Sequence, residues 1–366
     1  MTPLLRAALL LNAARAPLTA FEALRDRHGP EALNEEGLWN ELGLRPSVQA
    51  KLRELLGERG WAERELERVE GLEARFVIVD EPDYPPRLRD LSQPPIGLYV
   101  KGDLNLSAPS AAIVGTRRCS PYGRSVAESL GRALARSGFL VVSGGARGID
   151  ASGHRGCLEA GGVTVAVFGT GLDCIYPVEH RDLFRQIAGA GALVSEYPLG
   201  TGGDPWRFPE RNRIVVGMAG RVVVVESPEG GGAMITGRLA LDIGREVWAV
   251  PGRITETVCR GTNRLLRDGA QPLVDIDEFM QCVSGPYGQL VLDLGDAPPA
   301  GAPAQVALST DEKVVLALLQ RQGNRTADDL MAESGLDFAT LQTCLMALTA
   351  NGLAVSGGTG RYSATA

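Results

Sequence analysis

The arrangement of apolar and polar positions divides the chain into three textures. Up to about Ala74, apolar residues recur at helical spacing: Leu4, Leu5, Ala8, Leu9 and Leu11 recur together, His28-Gly29-Pro30 interrupts, and Val48, Leu52, Leu55 and Leu56 resume the pattern. A small helical (SAM-like) domain over residues 1–74 is expected. From Ser110 the texture changes to short, β-branched, nearly unbroken apolar runs: Ala111–Val114, Phe139–Ser143, Val163–Phe168, Ala192–Val194, Arg221–Val225 and Glu246–Val250. Strands covered by helices on both faces read this way. Their alternation with helical stretches predicts an α/β architecture, a Rossmann-like doubly wound parallel sheet, in a domain spanning residues 75–284. That domain opens with a proline-rich segment, Asp83-Tyr84-Pro85-Pro86-Arg87-Leu88 through Gln93–Tyr99, whose large apolar groups predict a connector packed onto its neighbour. Residues 285–305 are rich in Gly, Pro and Ala and read as a linker. Beyond it, Asp311–Arg321, Thr326–Ser334 and Asp337–Asn351 read as helices, and Leu353–Ser363 as a hairpin around Gly357-Gly358, which predicts a winged-helix-like domain over residues 306–366.

With 366 residues, the chain exceeds what one ordinary core accommodates. No stretch approaches the roughly 20 uncharged apolar residues that span a bilayer. The opening Met1–Arg6 lacks the layout of a signal peptide, so a cytoplasmic protein without membrane association is expected. The six cysteines, Cys119, Cys157, Cys174, Cys259, Cys282 and Cys344, form no C-x-x-C pair, and there are three histidines; neither a metal site nor a disulfide framework is expected. The net charge of -7 is unevenly spread. Residues 1–104 carry 14 basic and 18 acidic groups, residues 105–270 carry 19 and 15, and residues 271–366 carry 4 and 11. Every basic residue of the middle segment is arginine, whose fork matches phosphate bidentately.

In open α/β sheets ligands lie beyond the carboxyl ends of the strands, where backbone N–H groups and helix N-termini favour anions. Glycine and arginine gather there: Gly115-Thr116-Arg117-Arg118 after the first strand, Ser143-Gly144-Gly145-Ala146-Arg147-Gly148 after the second, Gly169-Thr170-Gly171 after the third. Glycines make tight turns in most such folds, but arginines on two adjacent loops point to a phosphate-binding edge. The first loop is not a G-x-G-x-x-G fingerprint, so a nicotinamide cofactor is disfavoured. The chain's three lysines, Lys51, Lys101 and Lys313, all lie outside the core, which removes a Walker-type nucleotide hydrolase. No cofactor is expected.

The run Ser143–Asp150 followed by His154, then Glu210-Arg211-Asn212-Arg213-Ile214 and Gly230–Thr236, resembles the DprA/Smf family. The Tyr84–Tyr99 connector, Ile175-Tyr176-Pro177, Pro251-Gly252 and Gly261-Thr262-Asn263 extend the resemblance across most of residues 76–282, in the family's order. Members bind single-stranded DNA, dimerise through the Rossmann-like domain and help load RecA onto strands held by single-stranded-DNA-binding protein during natural transformation. The resemblance implies the same partners here, no enzymatic activity, and a DNA-facing edge with Arg117 as phosphate ligand, Arg147 as the basic residue of the second loop, and Arg211, Asn212 and Tyr176 beside them. Two departures stand out: Gly230-Gly231-Gly232 replaces the usual serine-glycine-serine, and Ser152-Gly153-His154 replaces Ala-Ala-His.

Phe168, Tyr176, Trp206 and Phe208 lie near the loops and are candidates to stack on bases, though strand-end aromatics commonly belong to cores. His154 has no histidine or poised cysteine nearby in sequence and reads as a packing residue. An alternative class is a Rossmann-like phosphoribohydrolase of nucleoside monophosphates, which Pro228–Ala233 resembles; such an enzyme needs a glutamate on the following helix, which here holds no acid before Asp242. A third is a duplex-reading regulator, but the would-be recognition helix Asp337–Asn351 lacks lysine and arginine. Finally, the helix from Ala233 through Met234, Ile235, Leu239, Ala240, Leu241 and Ile243 is apolar on more than one stripe, which predicts cover from two sides and, with the resemblance, a homodimer.

Overall fold

A computed structural model describes residues 1–104, 107–284, 309–322, 325–350, 353–357 and 361–364. The chain forms two compact units, Met1–Gly295 and Asp296–Ala366. The expected linker 285–305 lies outside the described residues.

The first unit begins with helices α1 (Pro3–Ala13), α2 (Leu18–Ala23), α3 (Pro46–Gly57) and α4 (Trp61–Gly71). Thr2 caps α1 by accepting from the Leu5 amide at 3.2 Å, and Pro3 sits in the first turn, where its missing N–H is no loss. Leu9, Leu10, Leu11, Phe21 and Trp39 are buried in one continuous core with strand residues, so the helices and the sheet fold together.

The sheet has nine strands: β1 (Ala74–Ile78), β2 (Gly97–Gly102), β3 (Ser110–Val114), β4 (Leu140–Ser143), β5 (Thr164–Phe168), β6 (Ala192–Ser195), β7 (Arg221–Val224), β8 (Glu246–Ala249) and β9 (Gln271–Pro272). Their order is β1-β2-β6-β5-β4-β3-β7-β8-β9. From β6 to β9 all pairings are parallel, as the apolar runs predict; β1 and β2 add an antiparallel edge. The expected connector thus ends in strand β2, and Tyr84 from its start is buried with its hydroxyl donating to the Pro95 carbonyl at 2.7 Å.

Both sheet faces are covered. Ala112, Val114, Val142, Val222 and Val224 point into one core, and Ala111, Ile113, Val141 and Val223 into another beneath α5 (Pro121–Arg136) and α11 (Ile276–Ser284). This two-sided burial is why the strands read as unbroken apolar runs. The other helices are α6 (Ile149–Glu159), α7 (Arg181–Ala190), α8 (Arg207–Met218), α9 (Gly232–Asp242) and α10 (Arg260–Arg267). The chain enters β3, winds outward through β4, β5 and β6, then crosses back to β7 on the other side of β3. The strand order therefore reverses beside β3, and the crevice beyond its carboxyl end is where this topology accepts ligands.

The second unit holds α12 (Thr310–Gln322), α13 (Ala327–Ser334) and α14 (Phe338–Ala350) with strands β10 (Arg325–Thr326), β11 (Ala354–Gly357) and β12 (Arg361–Ala364) in the order β10-β12-β11. Leu319, Leu330, Leu341, Leu345 and Leu348 form its own core.

Candidate nucleic-acid interface

The loops after β3, β4 and β7 are joined into one platform by backbone contacts. The Thr116 amide donates to the Glu226 carbonyl at 2.7 Å, and the Ile149 amide to the Thr116 carbonyl at 3.3 Å. Gly148, at φ 76, sits so close that an added Cβ would lie 2.3 Å from the Thr116 oxygen; this is a position only glycine fills. The buried Glu226 carboxylate accepts from the Ser120 amide at 2.8 Å and from its hydroxyl at 2.5 Å, and Ser120 in turn caps α5. The first two glycine loops are thus held by each other.

Of the expected ligands, Arg117 is exposed, and its guanidinium lies 5.0 Å from the centre of the Phe208 ring. Phe208 is half-buried and meets exposed Tyr176 at 5.2 Å between ring centres, at 40°. A cation and two rings from three separate segments therefore form one row: the loop after β3 supplies Arg117, the loop after β5 supplies Tyr176, and the first turn of α8 supplies Phe208. Asn212 lies one helical turn beyond Phe208, half-buried, and its amide makes no side-chain hydrogen bond among the described residues. Arg147 is exposed and ion-paired with Glu179, which raises its pKa and lowers that of the glutamate.

Other expected residues are placed elsewhere. Ser143 is fully buried, its hydroxyl donating to the Ile113 carbonyl at 2.6 Å, so it ties β4 to β3 and offers nothing outward. Arg211, expected at the DNA-facing edge, turns inward: its Nη1 donates to the carbonyl of Gly144 at 2.6 Å and to that of Val167. Burial pulls its pKa down to about 10 against the counter-effect of Asp150, whose own pKa burial raises. Arg211 braces the second loop from below, and Gly144 is open to this because a Cβ there would meet the guanidinium at 2.6 Å. Gly145 is likewise buried, at φ 67. The Ala146 amide is directed to the Asp150 carboxylate at 3.3 Å. The third loop is closed: Gly169, Thr170 and Gly171 are buried, the Gly171 amide donates to the Thr201 carbonyl at 2.9 Å and the Thr170 hydroxyl to that of Cys174 at 2.8 Å. Two open loops, not three, face solvent. Phe168 packs on Phe184 in the core.

His154 is buried with Nδ1 2.7 Å from the Thr164 hydroxyl, and burial lowers its pKa to about 3; it packs α6 onto the sheet.

Further arginines surround the loops. Arg118, Arg124, Arg155, Arg181, Arg253 and Arg260 are exposed and without an ion pair among the described residues. Arg118 follows β3, Arg253 follows β8, and Arg124, Arg181 and Arg260 stand in the first turns of α5, α7 and α10. In a parallel sheet those turns lie at the carboxyl edge. Among the N-terminal arginines, Arg6, Arg25, Arg53 and Arg64 pair with Glu63, Asp80, Glu36 and Glu58. Unpaired arginines also occur elsewhere among the described residues, at Arg27, Arg45, Arg59, Arg136 and Arg238, but Arg118, Arg124, Arg181, Arg253 and Arg260 stand together at the carboxyl edge of the sheet.

The family model for DNA recombination-mediator protein A matches residues 75–284, over half of the chain. A putative DNA processing protein DprA of Mycobacterium tuberculosis is 37% identical over 320 residues, covering 82% of this chain and 81% of its own length. Protein Smf of a Synechocystis strain is 39% identical over 211 residues, 56% of this chain, and the match spans about half, 53%, of that relative's length. Among solved structures, DNA processing protein A of Streptococcus pneumoniae superposes with a TM-score of 0.66 at 28% identity, covering 76% of this chain and 97% of that one. A structure of DNA processing protein A from Helicobacter pylori, described in terms of its single-stranded DNA binding mode, gives 0.52 at 31% identity over 60% of this chain and 96% of that one. By the extent of these matches, the chain belongs to the DNA recombination-mediator protein A family, the DprA/Smf family.

Proposed function

We propose that this chain binds single-stranded DNA along the carboxyl edge of its parallel sheet and serves recombination by holding and presenting the strand, without catalysis. The observation that carries the reading is the row Arg117, Phe208, Tyr176: an unpaired cation for a phosphate beside two rings for bases, flanked by free arginines. Duplex DNA stacks its bases internally and has no use for such rings, whereas a single strand does. The Helicobacter relative's binding mode supports the same ligand.

In this reading the bound strand is protected and handed to RecA, with single-stranded-DNA-binding protein as the neighbouring partner. A homodimer through the late part of the sheet fits α9, where Ala233, Met234 and Ala240 face the core while Ile235 is 48% exposed and Leu239, Leu241 and Ile243 are partly covered. The second unit, three helices and a small sheet, reads as a winged helix that contacts protein, since α14 carries no lysine or arginine and leaves Phe338 and Met346 exposed.

Stacking and charge separate by experiment. Tyr176→Ala removes an exposed ring, so the fold should stand while single-strand affinity falls by about 1–3 kcal/mol, the usual contribution of one stacked base. The slope of log K against log salt should not move. An unaltered affinity would remove Tyr176, and with it the row, from the site.

A further inference from the structure

Trp206 immediately precedes α8 and is 53% exposed, whereas Trp39 and Trp248 are at 0% and 8%. Its ring is held by two guanidinium groups, Arg207 at 4.9 Å and Arg15 at 5.1 Å from its centre. Arg207 is local, tied to Asp204 at 2.9 Å. Arg15 comes from the far end of the sequence, at the close of α1, where it also lies 5.5 Å from the Tyr197 ring and pairs with Glu210, which accepts from the Tyr197 hydroxyl at 3.1 Å. The backbone at Arg15 has φ 63. Helices commonly end on glycine in that region because a Cβ is strained there. At Arg15 the side chain leaving that backbone is anchored by Glu210 and by two aromatic rings.

We propose that Trp206 is a second base-stacking platform for the single strand, and that Arg15 is its positioning residue, so that the N-terminal helices form part of the DNA site. The ligand is a nucleobase of an unpaired strand that has already met Phe208, two residues along the chain. An indole more than half exposed gains little from burial, and a ring fixed by two cations is preorganised for a planar partner. Both guanidinium groups are neutralised, by Glu210 and Asp204, so the platform contributes stacking and adds almost nothing to phosphate attraction. The inference rests on the single-strand reading of the adjacent edge.

The test titrates the full chain with unlabelled oligothymidylate while following tryptophan emission, alongside anisotropy of a labelled oligothymidylate. Emission should be quenched at saturation, because Trp206 is the most exposed of the four tryptophans. Trp206→Leu should abolish most of the quenching and weaken binding about tenfold with an unchanged salt slope. Arg15→Gly relieves the backbone, so its thermal midpoint should hold or rise, while affinity falls about threefold and the quenching amplitude drops. Binding seen by anisotropy with no quenching, and an unchanged affinity for Trp206→Leu, would overturn the platform and leave the function standing. Absence of binding by anisotropy would overturn the function itself and the platform with it.

Discussion

Arg117 and Arg211 carry the same group, yet the backbone assigns one to solvent and the other to the underside of a loop. Arg117→Ala should weaken single-strand binding and flatten the log K against log salt slope by about 0.7, the signature of one lost phosphate contact on a single strand. Arg147→Ala should do the same more weakly, since Glu179 competes for that cation in the free protein; Glu179→Gln should correspondingly tighten binding. No tighter complex for Glu179→Gln, together with an unmoved slope for Arg117→Ala, would place the DNA elsewhere. Arg211→Met differs in kind. It strands the carbonyls of Gly144 and Val167, so the urea midpoint should fall by an amount worth about 2–3 kcal/mol, while the salt slope stays put. The sequence could not tell these two arginines apart, because a cation is exposed by default and only the tertiary fold shows which loop lies above it. The same holds for the departures at Gly230-Gly231-Gly232. A Cβ at Gly230 or Gly232 would meet nothing within 4 Å, so a serine would fit at either position, while one at Gly231 would lie 2.5 Å from the Ser227 hydroxyl.

Among the elements, six strands were legible to within a residue or two at each end, because burial on both faces writes itself as a continuous apolar run. β1 and β2 were not: one face of each packs on the N-terminal helices, and the prolines between them mask the pairing. β9, two residues with a proline, carries no pattern to read. The glycine loops were legible as loops, but the closing of the third depends on residues thirty positions away, at Thr201. Helix α6 offers a test of how elements are bolted together. The Thr164 hydroxyl donates to the Val141 carbonyl at 2.8 Å, so the His154 Nδ1–H must donate to that hydroxyl, and the buried ring stays neutral. With the folded pKa near 3 against an unfolded value of 6.5, the unfolded chain takes the proton first as pH falls. Stability is therefore fully present above about pH 6.5 and is lost progressively toward pH 3. Between about pH 6.5 and about pH 4.5 the loss from this residue should be about 2–3 kcal/mol. Urea midpoints at the two ends, for the parent and for His154→Gln, check it: the variant should be less stable at neutral pH but should lose less on acidification. Equal acid losses in both would mean that His154 is not held neutral by burial.

At the scale of the molecule, an acidic chain carries a group of unpaired arginines at the carboxyl edge of its parallel sheet, between acidic flanks. Two truncations follow from this arrangement. Ending the chain near residue 284 should leave single-strand affinity within about 2 kcal/mol of the full chain, because the second unit is acidic. Removing residues 1–73 should cost solubility, since Leu9, Leu10, Leu11 and Phe21 share the core of the sheet; size-exclusion chromatography of both fragments distinguishes them. A monodisperse chain starting at Ala74 would contradict the shared core. Sedimentation of the full chain addresses assembly, and a dimer should bind strands long enough to span two grooves more tightly than short ones, through effective concentration. The most direct measurement is an anisotropy titration of single-stranded and duplex oligonucleotides of the same length with the parent chain, at several salt concentrations. The account predicts preference for the single strand by about tenfold or more, a linear fall of log K with log salt set by several phosphate contacts, and little dependence on base sequence. Equal affinity for the duplex, or binding indifferent to salt, would contradict it.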